Sequence, residues 1–213
     1  MHSLATHLNV NRYGNFLLTD AVRPGRTVPI VPREGFRIES FREPLTRVRI
    51  PFLSASVSAD KLFDLFLDLL DPLGEMVHVI FESSHASRDD DHEDLRRGHI
   101  DLPVLKSHLC DYEDLLLNDG CTGVAAVASR KMAEVQLDEH KQIYIYGRKL
   151  LPYRKIFRHY GVKRIDDLQL LSESEHLHHS TRGYAEEFRR LCCQVGAGDL
   201  ESVLSDENGF FAV

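Results

Sequence analysis

Two tetrapeptides carry the side chains from which a reactive site is most readily built. Glu82-Ser83-Ser84-His85 and Glu173-Ser174-Glu175-His176 share an E-S-x-H pattern, and each follows a stretch that reads as a β-strand. Carboxylate beside imidazole makes either a metal site or a proton-transfer pair. If the preceding strands are parallel neighbours, both pairs meet at the strand ends, where ligands of such sheets bind. Glu82, His85, Glu173, His176 and the adjoining His178 are therefore the candidate metal ligands, with His179 alongside. Their donors suit a divalent ion such as zinc, iron, manganese or nickel, and a bound cation would activate water for hydrolysis. Beyond that divalent metal no cofactor is expected. No H-E-x-x-H register accompanies the pairs, and with twelve histidines in the chain some clustering arises by chance.

A second constellation is electrostatic. Arg148, Lys149, Arg154, Lys155, Arg158, Lys163 and Arg164 fall in one stretch without an acid, so the net charge of −7 leaves about −14 on the remainder. Leu150, Tyr153, Phe157 and Tyr160 recur at helical spacing within it, which predicts an apolar face against the core and a cationic face outside. That surface suits an acidic protein, a phosphorylated ligand or the acidic face of a second copy, giving a homo-oligomer. The overall negative charge argues against nucleic acid, since most of the surface would repel its backbone.

Other residues point less far. The run Asp89-Asp90-Asp91-His92-Glu93-Asp94 lacks the glycine and terminal glutamate of a calcium loop and reads as solvated, within an exposed loop from Ser83 to Gly98. Ser83 and Ser84 precede His85, yet no G-x-S-x-G elbow occurs and adjacency alone does not make a triad. Cys110 and Cys121 have His108 and Asp111 as candidate partners but read as inert thiols, and His108 sits at the edge of the apolar row through Leu105 and Leu109. Neither a P-loop nor G-x-G-x-x-G is present, which excludes the two common nucleotide-binding fingerprints. Four cysteines without a C-x-x-C spacing, and an N-terminus without a basic start and apolar run, predict a cytoplasmic protein with free thiols. No apolar stretch reaches the length of a membrane span.

These residues need a scaffold. At 213 residues with 43% hydrophobic content, the chain buries a core without disulfide or metal staples. Residues 1–44, rich in Pro and Gly, read as an irregular arm with strand-like pieces at Asn15–Asp20 and Phe36–Phe41; 45–198 as a single domain; 199–213 as a tail ending in the apolar Gly209-Phe210-Phe211-Ala212-Val213. Leu45 to Val57 alternates as a strand with Val48, Ile50 and Phe52 on one face, and Ser58 caps a helix with an Asp60, Asp64, Asp68 and Asp71 stripe. Met76–Phe81 then completes a β-α-β unit, and Asp101 caps a helix that ends at Asn118-Asp119-Gly120. Val124–Ala128, Glu134–Leu137 and Gln142–Tyr146 form an antiparallel meander, with Asp138-Glu139-His140-Lys141 as a polar turn. A helix over Leu150–Tyr160, a strand at Leu168–Leu171 and a last helix capped by Ser180 or Thr181 follow. The fold class is α/β or α+β: a mixed sheet of five to six strands flanked by about four helices. Two functions follow, a non-catalytic interaction protein that self-associates or binds an acidic partner, and a small metal-dependent hydrolase or lyase using Glu and His at strand ends.

Overall fold

A computed structural model describes residues 9–25, 30–42, 49–85 and 93–198. Asp89 to His92, Val48 and the apolar tail lie outside the described residues. The described residues open with β1 (Arg12–Tyr13), β2 (Phe16–Leu17) and β3 (Val22–Pro24). The main sheet is built from β4 (Gly35–Arg42), β5 (Arg49–Ser56), β6 (Met76–Ser83), β7 (Glu93–Asp101), β8 (Thr122–Ala128), β9 (Ala133–Leu137) and β10 (Gln142–Gly147). β11 (His176–His178) returns to pair with β3. Five helices accompany them among the described residues: α1 (Ala59–Leu70), α2 (Leu102–Asp111), α3 (Glu113–Asn118), α4 (Leu151–His159) and α5 (Arg182–Val195).

The fold is of the α+β class. The seven strands run in the order β4-β5-β10-β9-β8-β6-β7 with every neighbouring pair antiparallel, and one isolated parallel bridge joins Phe36 to Arg164. Alternation along each strand selects one face for the core. Leu53, Ala55, Val79, Phe81, Val124, Ala126, Val135, Leu137, Ile143 and Ile145 share a buried cluster with side chains from all five helices. Their register agrees across the sheet, with Ile143 opposite Ala55 and Leu137, and Phe81 opposite Val124. The other face carries Glu82, Glu134, Gln136, Tyr144 and Tyr146, all partly exposed.

Several elements differ from the sequence expectation for identifiable reasons. Glu93–Gly98, expected in a loop, belongs to the edge strand β7, where Glu93, Asp94 and Arg97 are exposed and the backbone bonds β6 on one side and, at Arg96, Gly198 on the other. Gly35–Arg42, within the expected arm, pairs along its whole length with β5 and forms the opposite edge. Ile50 and Phe52 share a face as expected, but the core takes Leu53 and Ala55 from the other one. β5 and β6 point the same way around α1, yet β10, β9 and β8 lie between them. Leu168, Leu170 and Leu171 are buried and Gln169 is exposed, an alternation without a strand that leads into a 3-10 turn at Leu171–Glu173. Thr181 caps α5 by accepting the Tyr184 N–H at 3.3 Å. No helix among the described residues is long and apolar enough to cross a membrane.

Phe81 lies on the buried face, fully covered, on the strand that delivers His85. Phe81→Ala is expected to lower the unfolding free energy by about 3–5 kcal/mol in urea titration. A change under about 1 kcal/mol, as expected of a surface site, would contradict this packing.

Candidate metal centre

Antiparallel order decides where the chemistry gathers. Because directions alternate across β10, β9, β8 and β6, the start of β10, the end of β9, the start of β8 and the end of β6 all lie at one end of the sheet. The β9–β10 turn closes there: Lys141 N donates to Asp138 O at 3.0 Å, and Gln142 N to Asp138 Oδ1 at 2.7 Å. Lys141 occupies the left-handed region at φ 61°, uncommon for a long side chain.

A second piece of chain is brought to the same end. Gly25 N donates to Glu175 O at 2.6 Å, His179 N to Ala21 O at 2.8 Å, and Gly120 N to His179 O at 2.8 Å. β11 is thereby fixed between β3 and the loop that precedes β8. Upstream, Glu173 is an anchor rather than a ligand. Its carboxylate takes both terminal nitrogens of Arg37 and the Leu170 N–H, and the Arg37 bond in particular holds it below the ordinary range.

The result is a cluster of three imidazoles, His140, His176 and His178. One ring nitrogen of each lies within 4.8 Å of those of the other two. The ring centroids are 4.6, 4.8 and 4.9 Å apart, and His140 Nε2 is 3.0 Å from His176 Nε2. Each Nδ1 faces an acceptor: Asp138 Oδ2 at 2.8 Å for His140, Ser174 O at 2.7 Å for His176, and Gly120 O for His178. The 3.0 Å Nε2–Nε2 hydrogen bond of His140 and His176 holds one proton, which a metal ion would displace. A carbonyl or carboxylate oxygen can only accept, so each Nδ1 donates and Nε2 is the nitrogen turned toward the other rings. That is the outer-shell pattern that fixes histidine as a metal ligand.

Electrostatics divide the three rings. Burial opposes charging His140, but the Asp138 hydrogen bond and charge, with Glu139, outweigh it and raise its pKa. Burial lowers that of His178, and the neighbouring imidazoles lower it further against the pull of Gly120 O and Glu139. Beside them Lys141 is almost wholly buried; its ammonium donates to Thr122 O at 2.7 Å, and burial pushes its pKa down to about 8 against the charges of Asp119, Asp138 and Glu139. A cavity of about 290 Å³ opens next to His140, lined also by Glu82, Asp94, Asp138 and Glu139.

The two E-S-x-H segments therefore do not converge as pairs. His176 and His178 meet each other and His140. Glu82, on the open face of β6, accepts from Gln136 Nε2 at 2.9 Å and lines the cavity. His85 sits apart, in contact with Asp119 and Phe188. Asp138, Glu139, His140 and Lys141 read in sequence only as a polar turn; the signal they carry is a hairpin turn of four ionisable residues with no Gly or Asn at its left-handed position. All seven residues of the basic stretch are exposed, and Arg164 pairs with Asp166 at 2.7 Å. Neither a known protein family, nor a characterised protein, nor a solved structure matches the chain.

Gly120 is where the two pieces touch most closely. A β-carbon there would lie 2.4 Å from Ala21 O and 2.9 Å from His179 O, both backbone atoms that cannot step aside. Gly120→Ala is expected to lower Tm by several degrees, consistent with a loss of about 1–3 kcal/mol, and to speed amide exchange at His179. Gly183→Ala, whose added methyl meets nothing closer than 3.5 Å, is expected to leave Tm level or raise it slightly. Equal melting of Gly120→Ala and the parent would contradict the close approach.

Proposed function

We propose that the chain is a metal-dependent hydrolase with a divalent transition ion, zinc by donor preference, held by His140, His176 and His178. The observation that carries this reading is the convergence of three imidazoles, each with its Nδ1 bonded to a separate acceptor. Three neutral nitrogen ligands leave a fourth position for water, the arrangement of catalytic rather than structural zinc. A bound ion of this kind brings the pKa of its water to about 7. Glu139 lines the adjoining cavity and is held by Ser84 Oγ at 2.9 Å, which places a carboxylate where the water proton can go. The cavity wall is otherwise acidic, with Glu82, Asp94 and Asp138. An anionic substrate such as a phosphate ester is disfavoured there, so the substrate class is a neutral or cationic ester or amide.

The test is a hydrolysis screen with zinc-loaded and chelated protein on neutral esters, amides and phosphate esters. Turnover of a neutral substrate that needs the metal, and that falls about 10²–10⁴-fold in Glu139→Gln, is the expected result. Zinc content unchanged in His140→Ala/His176→Ala, or hydrolysis indifferent to chelation, would overturn it.

A second reading rests on a different observation. α4 packs against α1, with Tyr160 OH donating to Asp68 Oδ2 at 2.7 Å, so exposed Arg154, Lys155 and Arg158 lie beside the exposed Asp64 and Asp71. Adjacent acidic and basic patches are self-complementary across a two-fold axis, which suits homodimerisation through this face. Sedimentation should then show an association that weakens as salt rises from about 0.1 to about 1 M and is lost in Arg154→Glu/Arg158→Glu. A salt-independent monomer would exclude this reading.

A further inference from the structure

We infer that His85, Asp119 and Cys121 form a second transition-metal site, largely buried and suited to zinc, which shares no ligand with the three-histidine cluster. One donor atom from each lies within 4.8 Å of the others. Two short loops supply them, Ser84–His85 after β6 and Asp119–Cys121 before β8, tied by Ser84 N donating to Cys121 O at 3.0 Å.

The surrounding groups orient these donors without satisfying them. Ser83 Oγ is 2.8 Å from His85 Nδ1, which directs Nε2 inward. Thr122 Oγ1 donates to Asp119 Oδ2, leaving Oδ1 over. His85 Nε2 approaches Asp119 Oδ2 to 3.0 Å but is not aligned for a hydrogen bond. Among the described residues, His85 Nε2, Asp119 Oδ1 and the nearby Ser180 Oγ are all buried and lack a hydrogen-bond partner. Native interiors leave very few such atoms, and three together mark a place where something else binds.

The donors name the occupant. Nitrogen, oxygen and sulfur at one point match zinc, whereas a buried water would find a poor partner in a thiol. Calcium and magnesium, which prefer oxygen ligands, do not fit. The Lys141 ammonium donates to Thr122 O and attracts Asp119 from beyond ion-pair distance, so it does not occupy the carboxylate oxygens. The Asp119 side chain is fully buried, that of His85 is 11% exposed and Cys121 is half-buried, so the ion would be largely shielded, with one coordination position left over.

Cobalt(II) and zinc are the probes. In a chain carrying His140→Ala/His176→Ala, added cobalt is expected to give a near-ultraviolet thiolate-to-metal band that disappears when Cys121→Ser is introduced. In the unsubstituted chain, zinc is expected to slow alkylation of Cys121 at least about tenfold while leaving the exposed Cys110 and Cys193 unchanged. This second measurement needs no variant to fold. No thiolate band, a band that survives Cys121→Ser, or alkylation of Cys121 indifferent to zinc would each overturn the inference. A thiolate band together with no hydrolytic activity in the zinc-loaded unsubstituted chain would defeat the hydrolase reading alone.

Discussion

The structure depends on the docking of β11 between β3 and the loop before β8. Three backbone hydrogen bonds fix it: Gly25 N to Glu175 O, His179 N to Ala21 O, and Gly120 N to His179 O. Such bonds set position to a fraction of an ångström because donor and acceptor belong to rigid peptide units. They place His176 and His178 against a turn more than thirty residues earlier in the chain. The approach is so close that Gly25, like Gly120, has a backbone carbonyl where a side chain would begin. The Arg37–Glu173 pair anchors the same segment from the far side of the sheet. Without this strap the three imidazoles would have no reason to meet.

The end of the sheet is also where the fold accepts unfavourable physics. Lys141 combines a left-handed backbone with a nearly buried amine, and Asp119 keeps a fully buried carboxylate. Burial alone would push the Asp119 pKa up, but the Thr122 hydroxyl bond and the neighbouring His85 and Ser180 side chains reverse it. Strain and buried charge persist where surrounding structure holds them and where a function selects them. Elsewhere the chain obeys ordinary rules, with a sheet face of Val, Ile, Leu, Phe and Ala under five helices. The contrast between that regular core and its polar end is what marks the site.

Much of the fold was legible in the sequence, because it rests on local periodicity. The meander, α1 with its acidic stripe, the amphipathic α4 ending at Gly161 and the Thr181 cap all follow from spacing and capping residues. Strand order was not legible, since alternation states which face is buried and nothing about the neighbour. The site suffered accordingly. Its two returning histidines could be named, but His140 reads as one polar residue of a turn, and only three-dimensional pairing of β11 with β3 brings it opposite His176. Glu173 shared a motif with Glu82 and turned out to serve Arg37, which no spacing rule connects to it across 136 positions.

The central claim is that three imidazoles from a turn and a returning strand hold one metal ion. Anomalous diffraction at the zinc edge, from crystals grown with zinc, tests it directly. The account predicts a peak about 2.0–2.1 Å from a nitrogen of each of His140, His176 and His178. No peak there, with the three rings still gathered and their Nδ1 partners unchanged, would contradict it.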